Sequence, residues 1–198
     1  GTRSAVKDII RKKRVTINGE VITRPEIKVD IDKDVVAVDN NVLGYSEYEY
    51  YMLNKPAGVV SAVSDKDFKT VVELITDNKR KDLFPVGRLD KDTEGLLIIT
   101  NDGDMAHRLL SPKHHIDKTY YVVAKGSIDN KYIDEFKNGL VVDKDFTAMP
   151  AKLEILQYSN QDDTTFLNIT IQEGKFHQIK RMFKAAGSEV LYLKRLSM

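Results

Sequence analysis

The sequence predicts an α+β protein whose larger part is built on a mainly antiparallel sheet. Short apolar runs bounded by turn residues predict strands at 48–53, 96–100, 120–124 and 165–171. The last run alternates, with Leu167, Ile169 and Ile171 on one face, as expected of a half-buried strand. Helices are predicted between the strands, at 70–75, 103–110, 129–138 and 176–186. Hairpin-like neighbours with interspersed helices favour this class over a parallel sheet.

The first forty residues predict a separate small module. Thr2 is suited to cap a helix whose apolar residues recur at helical spacing, namely Ala5, Val6, Ile9 and Ile10. Asn18-Gly19 lies between two apolar runs and predicts a β-hairpin. We interpret Asp39-Asn40-Asn41 and the acidic stretch up to Glu49 as a linker. The predicted domains therefore span residues 1–41 and 46–198.

The distribution of charge is more informative than the formal net charge of +1. Residues 1–30 hold eight Lys or Arg against four Asp or Glu, and residues 171–198 hold six against two, so each segment carries +4. The run Arg11-Lys12-Lys13-Arg14 is the densest basic cluster. It has two interpretations, a solvated helix end or a surface that binds a polyanion.

Composition excludes several classes of protein and site. The chain has no cysteine, which rules out disulfides, thiolate metal sites and a cysteine nucleophile. It has neither the long apolar run of a membrane span nor the pattern of a signal peptide, so we expect a cytoplasmic protein that makes no membrane contact. His114 and His115 are adjacent and point apart, and the other two histidines lack suitably spaced carboxylates. We therefore expect no metal site.

The segment from Phe84 to Leu97, FPVGRLDKDTEGLL, carries the strongest indication of chemistry. Gly87 and Gly95 allow the backbone to turn sharply, so a tight loop could present the carboxylate of Asp90 to a ligand. Spacing alone equally allows a surface turn with solvated acids.

Within this segment, Gly-Arg-Leu-Asp-x-x-Thr-x-Gly-Leu-Leu resembles the signature of the RsuA family, pseudouridine synthases of the ribosomal small subunit, and of its large-subunit relatives. The resemblance continues over 52–56, 107–120 and 173–183, and the stretch from Thr2 to Val38 is similar to an S4-like RNA-binding domain. It implies a pseudouridine synthase catalytic domain with a mainly antiparallel sheet, preceded by the S4-like module. It also implies that the module is incomplete at its N-terminus and the catalytic domain at its C-terminus.

The resemblance assigns the catalytic residues. It implies that Asp90 is the nucleophile, that Tyr120 stacks on the flipped uracil and helps to remove its C5 proton, and that Lys180 forms an ion pair with Asp90. Many relatives have Arg at the position of Lys180, so Arg181 is kept as the substitute partner. From the strand pattern alone, Tyr120 would be half-buried packing. Asp92 and Glu94 fall outside the defining positions, and we expect them to be solvated.

The remaining implied contacts are to the substrate. Arg88 is expected to displace the target base, and the basic side of the helix at 176–186 is either a solvated face or a stripe that binds the RNA backbone. The substrate-binding residues are then Arg88, Lys118, His177, Gln178 and Arg181 in the catalytic domain, with Arg11, Lys12, Lys13 and Arg14 in the S4-like module.

The implied reaction breaks one bond of the uridine and rejoins its base without redox change, so no cofactor is expected. Ser111-Pro112-Lys113-His114-His115 ahead of Lys118-Thr119-Tyr120 is similar to the enzymes acting on 16S rRNA. The expected partner is therefore 16S rRNA or a small-subunit assembly intermediate, bound by a monomer. Three alternatives stay open: the same chemistry on large-subunit rRNA, a non-catalytic rRNA-binding assembly factor, and a carboxylate enzyme that releases free uracil.

Overall fold

The computed structural model describes residues 2–44, 46–76 and 80–198, which form two compact units divided between Glu47 and Tyr48. Within these ranges no helix is both long enough and apolar enough to cross a membrane. Nor do the described residues bring three His, Asp or Glu side chains together in a way that could hold a metal ion.

The N-terminal unit contains one helix, α1 (Arg3–Arg11), and a small antiparallel sheet. The Thr2 hydroxyl accepts a hydrogen bond from the Ala5 amide at 3.2 Å and caps α1 as predicted. The sheet has the order β2-β1-β3-β4, with strands β1 (Val15–Ile17), β2 (Glu20–Val21), β3 (Val36–Val38) and β4 (Asn41–Val42). Asn18 and Gly19 have φ of 52° and 85° and form the tight turn of the predicted hairpin.

The stretch at Asp39-Asn40 is a second hairpin turn rather than a linker. Both residues have positive φ, 50° and 64°, and Val38 pairs directly with Asn41 across the turn. Asn and Asp tolerate this conformation better than most residues, which explains why one pattern fits a linker and a turn alike. Arg14 Nε donates to the Asp39 carboxylate at 2.8 Å, so this arginine of the basic run is engaged within the unit.

The C-terminal unit is built on one large sheet, with the strand order β11-β12-β8-β13-β7-β5 and β6 beside β7. The β13–β7 pair is parallel and the other described pairs of this sheet are antiparallel, which confirms the predicted fold class. The strands of the unit, including a separate β9–β10 ribbon, are β5 (Tyr50–Lys55), β6 (Phe84–Pro85), β7 (Glu94–Thr100), β8 (Lys118–Lys125), β9 (Val141–Asp143), β10 (Phe146–Thr147), β11 (Lys152–Ser159), β12 (Thr164–Ile171) and β13 (Val190–Ser197).

Three α-helices of this unit agree with the predicted positions: α2 (Gly103–Leu110), α3 (Asn130–Asn138) and α4 (Gln178–Ala185). The helix predicted at 70–75 is only a 3-10 turn, Val72–Leu74, because the backbone leaves helical conformation at Ile75, where ψ is 86°. Asp102 caps α2 by accepting a hydrogen bond from the Met105 amide at 2.8 Å.

The core of this unit lies between the sheet and its helices. Leu167 and Ile169 of β12 are fully buried, as their alternation predicted. Phe136 of α3 and Phe183 of α4 pack together with ring centroids 5.2 Å apart. Since the apolar side of α4 is fixed in the core, its polar residues are held in defined positions at the edge of the sheet.

Candidate active site

Asp90 lies on the loop between β6 and β7, and hydrogen bonds hold this loop in shape. The Thr93 amide donates to the Asp90 carbonyl at 3.1 Å, which closes a tight turn. Just before it, Leu89 exchanges two hydrogen bonds with the Ser61 hydroxyl, at 2.9 and 3.0 Å. Gly87 supplies the positive φ, 82°, that brings the chain into the turn. The carboxylate is therefore presented from a constrained backbone.

A buried lysine, Lys55, holds the same loop in place through hydrogen bonds to backbone carbonyls. Lys55, at the end of β5, is 1% exposed, and its Nζ donates to the carbonyls of Pro56, Lys91 and Thr93 at 3.0, 3.2 and 2.8 Å. Burial lowers the pKa of Lys55, while the nearby acidic side chains oppose that shift. In the sequence, Asn54-Lys55-Pro56 only follows the strand predicted at 48–53 as turn residues. The three carbonyls that Lys55 binds are set by the tertiary structure, so no local signal marked its role.

Lys180 of α4 lies between two carboxylates of the loop. Its Nζ is 3.1 Å from Asp90 Oδ2 and 2.6 Å from Asp92 Oδ1. Burial alone would lower the pKa of Lys180, but the hydrogen bonds to Asp92 and Asp90 outweigh it and raise the pKa. The hydrogen bond from Lys180 in turn lowers the pKa of Asp92. The ammonium group is thus charged and shared between the two acids.

Local sequence did not indicate two contacts of this loop. Asp92 is solvated as expected, with 73% of its side chain exposed, and it also pairs with Lys180. Glu94 accepts a hydrogen bond from the Tyr192 hydroxyl at 2.7 Å, which raises the pKa of Tyr192 to about 12. Both contacts join residues about ninety or more positions apart, and local sequence could not indicate them.

Tyr120 lies on β8 and is 8% exposed. It belongs to the hydrophobic core cluster and also lines a cavity together with Asp90 and Lys180. Packing and a functional position are therefore combined in one side chain. The cavity measures about 70 Å³ and is lined further by Arg88, Leu89, Thr93, Ile171, Gly174, Lys175, His177, Gln178, Ile179 and Leu193.

His177 approaches the same carboxylate from the start of α4. Its Nε2 lies 3.5 Å from Asp90 Oδ1, and its backbone adopts the left-handed conformation with φ of 47°. A non-glycine residue in this region is uncommon, and it marks a position that the surrounding structure enforces.

Gln178 and Lys118 are engaged with other parts of the protein. The Gln178 amide donates to Glu173 Oε1 at 2.7 Å, and its oxygen accepts from the Lys175 amide at 2.9 Å. Lys118 is buried and donates to the Ile116 carbonyl at 3.0 Å. Burial lowers the pKa of Lys118. Gln178 borders the cavity, whereas Lys118 is not among the described residues that line it.

Arg181 is turned away from Asp90, so it does not act as the substitute partner. Its guanidinium pairs with Asp143 of β9 and lies 4.9 Å from the centroid of the Phe146 ring. Arg181 Nη1 also donates to the Phe176 carbonyl at 3.2 Å. Arg181 therefore anchors the entry to α4.

In the N-terminal unit, the basic run follows the end of α1. Arg11, Lys12 and Lys13 are exposed, and Lys12 lies 4.0 Å from Asp8 one helical turn earlier. Such an exposed pair contributes little stability. These three side chains remain accessible to a polyanion, while Arg14 is paired with Asp39.

This arrangement combines a carboxylate on a constrained loop, a cation beside it, and an aromatic ring facing the same small cavity. A carboxylate in such a setting can attack an electrophilic carbon, and the ring offers a surface on which a planar base can stack.

Two family models match the chain. The model described as RNA pseudouridylate synthase matches residues 49–185, and the S4 domain model matches residues 1–36.

Several relatives match nearly the whole of this chain, and two of them are named for different ribosomal subunits. A Bacillus subtilis (strain 168) protein named uncharacterized RNA pseudouridine synthase YtzG is 46% identical, covering 100% of this chain and 82% of its own. Ribosomal large subunit pseudouridine synthase B of the same strain is 37% identical, covering 98% and 79%. Ribosomal small subunit pseudouridine synthase A of Haemophilus influenzae is 38% identical, covering 98% and 82%.

A solved structure described as that of a pseudouridylate synthase has a TM-score of 0.68 at 37% identity, covering 98% of this chain and 81% of its own. With the family models and relatives, it shows that the chain belongs to the RNA pseudouridylate synthase family and is an RNA pseudouridine synthase with an N-terminal S4 domain.

Proposed function

We propose that this enzyme converts one specific uridine of 16S rRNA to pseudouridine, with Asp90 as the nucleophile. The observation that carries the chemistry is the shared cavity of Asp90, Tyr120 and Lys180. The small-subunit target is favoured by the segment 111–120, which is similar to enzymes acting on 16S rRNA. The relative from Haemophilus influenzae, named for the small subunit, adds to that support.

The reaction is an isomerisation in which atoms are conserved. The bond between uracil N1 and ribose C1′ breaks, the base turns, and C5 forms a new bond to C1′. The proton on C5 leaves and N1 takes up a proton. We assign the attack on ribose C1′ to the carboxylate of Asp90 as the N1–C1′ bond breaks, and C5 of the turned base then displaces this carboxylate from C1′. Lys180 offsets the negative charge beside the reacting atoms. Tyr120 stacks on the uracil and assists removal of the C5 proton.

The target uridine must leave its stack to reach Asp90, which costs a few kcal/mol. Phosphate contacts and stacking offset that cost, and we assign Arg88 and His177 to the target nucleotide because both line the cavity. Arg11, Lys12 and Lys13 are assigned to the RNA backbone, so affinity falls as salt concentration rises. Lys118, Gln178 and Arg181 support the elements that carry these groups, and the reaction takes place in the cytoplasm on rRNA or an assembling subunit.

Large-subunit rRNA is the second candidate substrate, because the Bacillus subtilis large-subunit enzyme is 37% identical to this chain. Transcripts of 16S and 23S rRNA labelled with tritium at uracil C5 separate the two. Tritium release into water from 16S RNA alone supports the proposal, whereas release from 23S RNA alone overturns the assignment of the subunit. Chromatography of the digested product then distinguishes pseudouridine from an abasic site.

Binding without release from either transcript would favour a non-catalytic assembly factor. Mapping pseudouridine in rRNA from cells that lack the protein checks the assignment independently. The proposal requires that one uridine of 16S rRNA stays unmodified in those cells.

A further inference from the structure

Phe176 is the most exposed aromatic residue in the described part of the chain, with 75% of its surface accessible to solvent. It lies next to His177, and the two rings are stacked, with centroids 3.8 Å apart and planes within 18° of each other. A single exposed apolar side chain is common on protein surfaces. Phe176 differs from such a residue because it lies beside the active-site cavity and because its backbone is constrained.

The backbone around Phe176 is held from both sides. Arg181 donates to the Phe176 carbonyl, and Arg181 is itself fixed by its ion pair with Asp143. On the other side, the Lys175 amide donates to the side chain of Gln178 at 2.9 Å. With His177 in the left-handed conformation, these contacts direct the Phe176 ring outward from a constrained turn.

The stacked pair of Phe176 and His177 extends from the solvent-exposed surface to Asp90. His177 lines the cavity and its Nε2 lies 3.5 Å from Asp90 Oδ1, while the Phe176 ring stacks on a face of the histidine ring. A strand of RNA that delivers a uracil to Asp90 must pass its neighbouring nucleotides over the mouth of this cavity. Lys175, exposed and next to Phe176, supplies positive charge for the backbone there.

We propose that Phe176, backed by His177, is a stacking platform for the nucleobase adjacent to the target uridine. The ligand is an unpaired base of single-stranded RNA. Every base presents a π-face, so the platform tolerates different sequences. This inference rests on the proposed function only in requiring that a uridine of rRNA reacts at Asp90, and it applies to whichever transcript is the substrate.

The chain contains no tryptophan, so Phe176→Trp introduces a single fluorescent reporter and keeps an aromatic ring at the position. The variant is titrated with the transcript from which the wild type releases tritium. Stacking on a base quenches tryptophan emission, and we expect quenching to saturate at the RNA concentration that saturates filter binding. Tyr158→Trp, on the edge strand β11, is the matched reporter, and its emission should not change.

Phe176→Leu keeps apolar bulk and loses the ring. We expect its KM to rise about 5- to 100-fold, the effect of losing one base stack, with kcat within about threefold of the wild type. Phe176→Tyr should retain the wild-type KM.

Three outcomes overturn the platform: a wild-type KM for Phe176→Leu, bound Phe176→Trp without quenching, or equal quenching of the Tyr158→Trp reporter. If Phe176 served only to position His177, the Phe176→Trp variant would keep the wild-type rate, and RNA binding would not quench the emission of its tryptophan. Tritium release by the wild type reports separately on the reaction itself, and release from neither transcript would remove both proposals.

Discussion

The ammonium of Lys180 is shared unequally between two acids, lying 3.1 Å from Asp90 and 2.6 Å from Asp92. The closer partner is the more exposed one, while Asp90 is the one that borders the cavity. In the proposed reaction Asp90 forms a bond to the nucleotide and loses its charge, and Lys180 then keeps the Asp92 carboxylate as a second anion beside it. Asp92 is thereby placed to position Lys180 throughout the reaction.

Asp92→Asn should therefore lower kcat about three- to tenfold and leave KM within about twofold, because the carboxylate acts through Lys180 rather than on the RNA. The check is a double-mutant cycle with Lys180→Met, measured by tritium release. In the Lys180→Met background, Asp92→Asn should have no further effect. Additive losses in the double variant would show that Asp92 acts independently. Glu154→Gln on β11 is the control for removing an acidic side chain.

Asp90→Asn should abolish turnover, with at least a 1,000-fold loss on the order seen when a nucleophile is removed. RNA binding should stay within a few fold, because the amide has the same shape and the phosphate contacts are unchanged. Tritium release and filter binding measure the two effects separately. Residual activity near that of the wild type would exclude Asp90 as the nucleophile.

Tyr120→Phe should preserve the buried ring and lose only the hydroxyl. If the hydroxyl helps to remove the C5 proton, the rate of tritium release should fall about 100-fold, within the usual range for an acid–base group. Affinity for RNA should be unchanged, since the face that stacks on the base remains. An unaltered rate would confine Tyr120 to packing and stacking.

Lys55→Met should destabilise the protein by about 2 kcal/mol, because three backbone carbonyls, of which that of Thr93 is buried, lose a charged donor. Since the carbonyls of Lys91 and Thr93 belong to the turn that begins at Asp90, kcat should also fall. Urea unfolding gives the first effect, and tritium release well below the denaturation midpoint gives the second. Lys131→Met removes an exposed lysine of α3 and should alter neither quantity.

Gly95→Ala should lower the free energy of unfolding by at least about 3 kcal/mol. The added Cβ would lie 2.1 Å from the Arg195 carbonyl oxygen, and φ at this position is +100°. Gly103→Ala, at the start of α2, meets nothing within 4 Å and should leave stability equal or slightly higher. Equal urea midpoints for the two variants would contradict this account of Gly95.

Local pattern predicted those elements in which periodicity is regular. The alternation in β12, the cap of α1 and the Asn18-Gly19 turn all depend on neighbours within a few residues, and the structure contains each of them. Strands β11 and β13 were not predicted. A register shift between Ile155 and Gln157 breaks the alternation of the first, and two further shifts do so in the second.

The residues of the site also divide into those that a sequence motif predicted and those that only the folded structure revealed. Asp90, Tyr120 and Lys180 were singled out because a family motif carries them, and their roles remain predictions. The neighbours that hold them, Lys55 and Asp92, depend on contacts made in the folded chain. Phe176 could have been noticed as an apolar residue within a polar segment, but its exposure is a property of three-dimensional structure.

Strand β13 fills the gap between β8 and β7, and its parallel partner in β7 precedes it by 100 positions, as in the pair Lys194–Glu94. During synthesis on the ribosome, the β5–β7 part therefore emerges long before β13, and the β8–β12 part emerges shortly before it. Contacts so distant along the chain close slowly. A nascent chain that carries Asp90 and Lys180 but not yet β13 has an unfinished sheet, so we expect the site to be complete only after β13 has emerged from the ribosome.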